Sequence, residues 1–230
     1  MSAERPVADA EYDERYFIES CGGAEFFSRY GAKIVKPVLA HALARAGLKE
    51  GQSALDVGCG RGELLYQLRE RGVRAVGIDF AEASTKLARK VSSSSVQRAD
   101  AKKLPFRDRS FDRIFFLGVI DHLHDWELES CFSEFARVLR PGGFLLANTC
   151  VNRDYHKNKS YALRARLSVA LGLAPPAPPR SDEDEKLHVN EHDAGGLERF
   201  FEKVGWDAEI EFRPNEKYEL RRLYGEKRPE

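Results

Sequence analysis

Residues 53–62 read SALDVGCGRG, a short apolar run that carries an acid near its end and passes into a turn with glycines at alternate positions. The run has the form of a buried parallel strand. Residues 62–72, GELLYQLRERG, put Leu64, Leu65 and Leu68 at helical spacing and supply Gly72 as the stop. The next stretch repeats the scheme, with a strand predicted over 73–79 and a helix over 81–91, which makes a βαβ unit. Three more buried strands are predicted over 95–100, 111–119 and 142–150. A helix over 127–140 lies between the last two and is expected to end at Pro141-Gly142-Gly143. Asp193 is a predicted N-cap for a helix over 195–205, and two alternating segments, 206–212 and 217–225, are expected to hairpin at the sheet edge. The pattern predicts a doubly wound α/β fold. Its seven-stranded sheet is mostly parallel with an antiparallel edge strand, and helices cover both faces.

A chain of 230 residues holds one domain with room for a small elaboration. Lys+Arg and Asp+Glu both count 37, so no global field pulls in polyanions, which disfavours a nucleic-acid binder built on bulk basicity. Cys21, Cys59, Cys131 and Cys150 lie too far apart for a zinc knuckle and are expected as reduced thiols. No run approaches the roughly 18 apolar residues of a membrane span. The polar, acidic N-terminus is unlike a signal peptide, so a cytoplasmic protein without membrane contact, monomer or homodimer, is expected. Residues 1–50 read as an N-terminal helical cap, with helices over 25–30 and 34–46, and residues 51–230 as the ligand-binding domain. Within that domain residues 151–190 form an insert with Arg153, Lys157, Lys159, Arg164 and Arg166, the stiff stretch APPAPPR and the acidic run SDEDE. An excursion of that length fits a lid or substrate region.

Two ligand classes compete for the glycine turn. A dinucleotide fingerprint, G-x-G-x-x-G, needs its third glycine where this chain has Glu63. Asp56 and Glu63 would also place carboxylates where a pyrophosphate sits. A cationic ligand without phosphates suits the turn, and S-adenosylmethionine, with its ammonium and sulfonium, is one.

The stretch resembles the first motif of the class I S-adenosylmethionine-dependent methyltransferases, with their small-molecule "type 11" domains, and the resemblance runs through most of residues 53–150. It implies a Rossmann-like fold and S-adenosyl-L-methionine as cofactor, held at Asp56, Gly58, Cys59 and Gly60. Asp79 follows Asp56 by 23 positions and is followed by Phe80; it corresponds to the acid that accepts both ribose hydroxyls. Asp100, with Ala101, corresponds to the acid that accepts from the adenine amino group beside an apolar neighbour. Residues 111–116 match the fourth strand, which leads to Leu117, and residues 137–143 match the turn after the following helix. The resemblance also gives Tyr12, Tyr16 and Phe17 to an aromatic N-terminal segment that closes over the cofactor, where plain helix packing is the alternative, and offers Arg29 as the cation for the methionine carboxylate.

Methyl transfer is an in-line displacement, so the enzyme must align the acceptor and exclude water. Parallel sheets bind ligands beyond the carboxyl ends of their strands, which directs attention to residues 117–126. That loop resembles the family's E-H-L segment, with Asp121 in place of glutamate. His122 is a candidate general base; equally, Asp121 and His122 brace the loop by hydrogen bonds. His188, in a stretch similar to an H-x-N-E segment of relatives from saccharide gene clusters, is a second candidate base, or else a solvated loop histidine. His122, His124, Asp121 and Asp125 crowd one short turn, where neighbours seldom converge on one ion, so no metal is expected. The loop lacks the proline pair of enzymes that methylate DNA bases. Three readings stand: methyl transfer to O or N of a small metabolite, such as a saccharide or glycosylated precursor; a non-catalytic cofactor-binding or regulatory subunit; and an RNA methyltransferase using the basic residues of the insert. RNA ranks well behind a small molecule.

Overall fold

The computed structural model describes residues 5–150, 156–174, 186–190, 192, 194–214 and 219–227, with backbone alone for 150, 156–162, 194 and 212 onward. Arg153, residues 175–185, Glu191 and Asp193, to which expectations were attached above, lie outside the described residues.

The strands are β1 (Ser53–Val57), β2 (Arg74–Asp79), β3 (Ser95–Arg98), β4 (Phe111–Leu117), β5 (Leu139–Cys150), β6 (Trp206–Pro214) and β7 (Glu219–Lys227), in the order β3-β2-β1-β4-β5-β7-β6. The helices are α1 (Ala24–Tyr30), α2 (Pro37–Ala46), α3 (Glu63–Arg69), α4 (Glu82–Ser92), α5 (Asp125–Val138), α6 (His156–Ala170) and α7 (Ala194–Lys203). Every residue of β1 is buried, as a central strand covered on both faces requires. Successive residues of β4 face opposite layers. Ile114 and Phe116 join Phe132, Phe135, Phe200 and Phe201 of α5 and α7, while Phe115 joins Leu39, Ala42 and Ala46 of α2 and Leu64 and Leu68 of α3. Residues 37–46 are thus built into the sheet's second face.

Two expectations are corrected. The antiparallel strand is not the edge: five strands, β3 to β5, run parallel without a break, and β7 then pairs antiparallel with both β5 and β6. The terminal hairpin folds back so that its second arm meets β5, which leaves β6 outside. Pro141-Gly142-Gly143 does not stop a helix either. α5 ends at Val138, and the turn residues form an irregularity inside β5, where pairing jumps from Phe111 with Leu139 to Arg113 with Phe144. A proline has no ladder donor to lose at such a bulge. α5 also starts earlier than expected, because the Glu127 carboxylate accepts the His124 N–H at 3.2 Å and closes the helix there.

Candidate active site

The parallel register puts Val57 beside Ile78, so the carboxyl ends of β1 and β2 deliver Asp56 and Asp79 to one edge. Gly58 and Cys59 both donate their N–H to the Ile78 carbonyl, at 2.9 and 3.0 Å, and fold the glycine turn back onto β2. Asp79 then spans the gap, accepting from Gly60 N–H and Ala81 N–H, each at 3.0 Å. Gly62 has φ +79°, and a Cβ there would fall 2.8 Å from Ala88 Cα, so this glycine lets α3 pack on α4. Asp56 is 4% exposed. Burial, and then the charges of Asp79 and Glu63, push its carboxyl up to about 8. Burial also raises Asp79, against hydrogen bonds from Ser84, Ala81 and Gly60 that pull the other way.

Glu63 does not face a ligand as expected. Its carboxylate pairs with half-buried Lys36 at 2.9 Å and with buried Arg61 at 3.0 Å. Repulsion of a phosphate therefore falls to Asp79, and to Asp56 only where it is ionised. Arg61 is the residue that sequence reasoning missed. Its guanidinium donates to Phe17 O (2.7 Å), Cys21 O (3.3 Å), Gly22 O (2.8 Å) and Glu63 (3.0 Å), and lies 5.3 Å from the Phe27 ring centroid. One side chain thus ties the N-terminal segment across the glycine turn. The signal was an arginine set between two glycines, but its acceptors are main-chain carbonyls some 40 positions away.

The two candidate histidines come together. His122 closes a single 3-10 turn (Ile120–His122) after β4, and its ring centroid is 4.8 Å from that of His188, edge to face. The Tyr12 hydroxyl is 2.8 Å from His122 Nδ1. Asp121 is buried and accepts the Thr149 hydroxyl, while its other oxygen lies 4.0 Å from His188 Nε2. Asn190 donates its N–H to Asp121 O (3.1 Å) and its amide to Leu123 O (3.0 Å) and Asp125 (2.8 Å). Burial, then the neighbouring His188, lowers the His122 imidazole to about 3. It is a neutral ring at physiological pH. Burial and the Asp79 charge push the Tyr12 phenol up, so it too stays neutral.

Of the other expected residues, Phe80 and Tyr16 both meet Tyr12 edge to face, with centroids at 5.2 and 5.1 Å. Cys59 is buried, and that burial raises its thiol. Ala101 and Leu117 pack half-buried against the two core layers. Asp100 is exposed and accepts the Lys102 N–H (2.9 Å), with the Lys102 ammonium 3.2 Å away. Arg29 is exposed on α1, its guanidinium 5.9 Å from the Tyr30 centroid. The polar side chains of the β4 loop go to separate partners: His124 Nε2 to Arg5 O at 3.1 Å, Asp125 to Asn190 and His192, and Asp121 to Thr149.

The donor set fits a cationic nucleoside. The charges bearing on buried Asp56 are other carboxylates, so an ammonium or sulfonium entering beside it meets uncompensated acidity. Asp79, already shaped to accept two N–H groups, can equally accept hydroxyls.

Comparisons with known proteins agree with this chemistry. Residues 55–147 match the family described as "Methyltransferase domain". The chain is 31% identical over 176 residues to a demethylmenaquinone methyltransferase of Mycobacterium sp. (strain JLS), covering 71% of each. It is 35% identical over 118 residues to the O-methyltransferase resE of Aspergillus sclerotiorum, covering 47% of this chain and 44% of that protein. Its fold resembles that of magnesium protoporphyrin IX methyltransferase from Synechocystis PCC 6803, solved with S-adenosylhomocysteine bound. The TM-score is 0.58 at 18% identity, over 92% of this chain and 96% of that one. The chain spans 37% to 44% of the length of several curated relatives that it matches.

Proposed function

Because the chain belongs to the class I S-adenosylmethionine-dependent methyltransferases, we propose that it transfers the cofactor's methyl group to an oxygen or nitrogen of a small metabolite, with a saccharide or glycosylated precursor as one candidate class. The observation that carries this is the pair of buried acids, Asp56 and Asp79, set at the carboxyl edge of the sheet that also holds His122 and His188.

When bound, the cofactor supplies a methyl group on a positively charged sulfur, already activated for displacement. In this reading Asp79 holds the ribose hydroxyls, and the turn at Gly58, Cys59 and Gly60 lies along the amino-acid portion, with Asp56 opposite its charge. Phe80, Asp100, Ala101 and Leu117 border the adenosine, and Tyr16 covers it from the N-terminal segment. Arg29, exposed and stacked on Tyr30, is left out of the set. His122 and His188 face the acceptor as candidate bases. The likeness to a protein named O-methyltransferase supports an oxygen acceptor.

Calorimetric titration of S-adenosylmethionine into the wild type and Asp79→Ala tests the cofactor site. Strong heat with the first and at least tenfold weaker binding with the second are expected, and no heat with the wild type refutes it. Release of S-adenosylhomocysteine with a panel of phenols, sugars and amines then tests turnover. A cofactor-binding subunit without activity gives none with any of them.

A further inference from the structure

We propose that Tyr12 is a catalytic residue: its hydroxyl oxygen takes the proton of an acceptor hydroxyl while its own proton passes to His122 Nδ1. The inference rests on the methyltransferase reading with an oxygen acceptor, and it changes which atom meets the substrate.

The sequence alone offered His122 as the base acting directly. The structure occupies His122 Nδ1 with the Tyr12 hydroxyl at 2.8 Å. A phenol O–H is the stronger donor of the two and an imidazole nitrogen the stronger acceptor, so the hydroxyl donates and Nδ1 accepts. Neutral His122 then carries its hydrogen on Nε2, and Nε2 has no lone pair for a substrate proton. The acceptor lone pairs that remain in the pair belong to the phenol oxygen. Tyr12 also lies at the edge of the sheet assigned above to the cofactor. Its ring meets Phe80, next to Asp79 at the end of β2, and the Asp79 charge acts on its phenol. The Tyr12 ring is buried and that of His122 half-buried, and His188 meets His122 edge to face.

The balance is complete. The acceptor oxygen forms its bond to the methyl carbon with a lone pair, and the electron pair of the broken carbon–sulfur bond stays on sulfur. The acceptor's proton moves to the Tyr12 oxygen, the tyrosine proton moves to Nδ1, and the imidazolium later sheds one proton to solvent. Burial that opposes an imidazolium in the protein alone opposes it less during transfer, because one positive charge is moved from sulfur to the ring and none is created. The relay selects the substrate class. A neutral amine or an ionised phenolate needs no proton removed as the bond forms, whereas an alcohol or neutral phenol does.

Long-range 1H–15N spectra of the imidazoles, taken on the whole protein with S-adenosylhomocysteine present, read the tautomer without any acceptor. The expected result is His122 as the Nε2–H tautomer, with its Nδ1 signal changed in Tyr12→Phe. An Nδ1–H tautomer in the wild type overturns the relay. Where the phenol and sugar panel yields turnover, Tyr12→Phe should lower kcat by ~10²–10³ at little change in cofactor KM and erase the solvent deuterium effect on kcat. An unchanged kcat or an unchanged isotope effect also overturns it. Absence of cofactor binding instead removes the methyltransferase reading, so the two failures are told apart.

Discussion

Asp56 makes the cofactor site a titrating one. With its carboxyl at about 8, most molecules carry it protonated at pH 7 until a cationic ligand arrives beside it. Binding of S-adenosylmethionine at pH 7 should therefore release close to one proton, seen as a dependence of the calorimetric enthalpy on buffer ionisation enthalpy. Asp56→Asn should remove that dependence, and a buffer-independent enthalpy in the wild type refutes the assignment. Stability should follow the same groups. Asp56 lies above its ordinary 3.8, so what it contributes is present at low pH and is lost as pH rises towards 8. His122 lies below its ordinary 6.5, so its contribution is gained as pH rises from 3 to 6.5. Between about 4 and 6.5 the two slopes oppose each other. From 6.5 to 8 the Asp56 slope stands without the opposing His122 slope, and unfolding free energy should drop by on the order of 2 kcal/mol, flattened in Asp56→Asn. Urea denaturation across that range measures it.

At the scale of elements, the glycine turn separates packing from ligand contact. Gly62→Ala adds a Cβ against the α4 backbone at a left-handed φ, and should cost about 2–4 kcal/mol in urea unfolding. Gly51→Ala shares the positive φ, at +81°, but meets nothing within 4 Å, and should cost only about 1 kcal/mol. Equal losses would show that backbone strain, not the α3–α4 approach, dictates Gly62. The same distinction explains what was legible in the sequence. β1 and β4 could be read because each carries a short apolar run, Ala54-Leu55 and Ile114-Phe115-Phe116, that is buried on both faces, and β2 because it repeats the strand–turn–helix scheme of β1. Pro141-Gly142-Gly143 could not, since those residues punctuate helix ends and strand bulges alike. The position of β7 was hidden because two alternating segments fit a sheet in either order. His122 and His188 were each visible as isolated histidines; their pairing, and the Tyr12 hydroxyl on Nδ1, depend on segments far apart in the chain. Glu63 was misread for the same reason, since its neutralising partner Lys36 precedes it by 27 positions.

Across the whole molecule, three remote segments are fastened at one edge of the sheet by different means. Arg61 holds residues 17–22 by three carbonyls, while Asn190 holds the β4 loop by a main-chain bond and two side-chain bonds. Arg61→Ala leaves those carbonyls without their donor and strips one of two cations from buried Glu63. It should cost about 3–5 kcal/mol, and protease should cut the N-terminal segment sooner. Asn190→Ala removes one bond to a carbonyl and one to the solvent-exposed Asp125 carboxylate, uncovers no buried charge, and should cost about 1–2 kcal/mol. Because Tyr12 joins the first segment to His122 on the second, the two fastenings are coupled through one hydroxyl. Hydrogen exchange separates the cases. In Asn190→Ala the amides of 120–125 and 186–190 should exchange faster while 58–62 keep their rate. In Arg61→Ala the loss should begin at 12–23 and spread to 120–122 through Tyr12. Adding Tyr12→Phe to Arg61→Ala should then leave exchange at 120–122 no faster than in the single variant. A further, additive acceleration there would mean that the N-terminal segment and the histidine loop open independently.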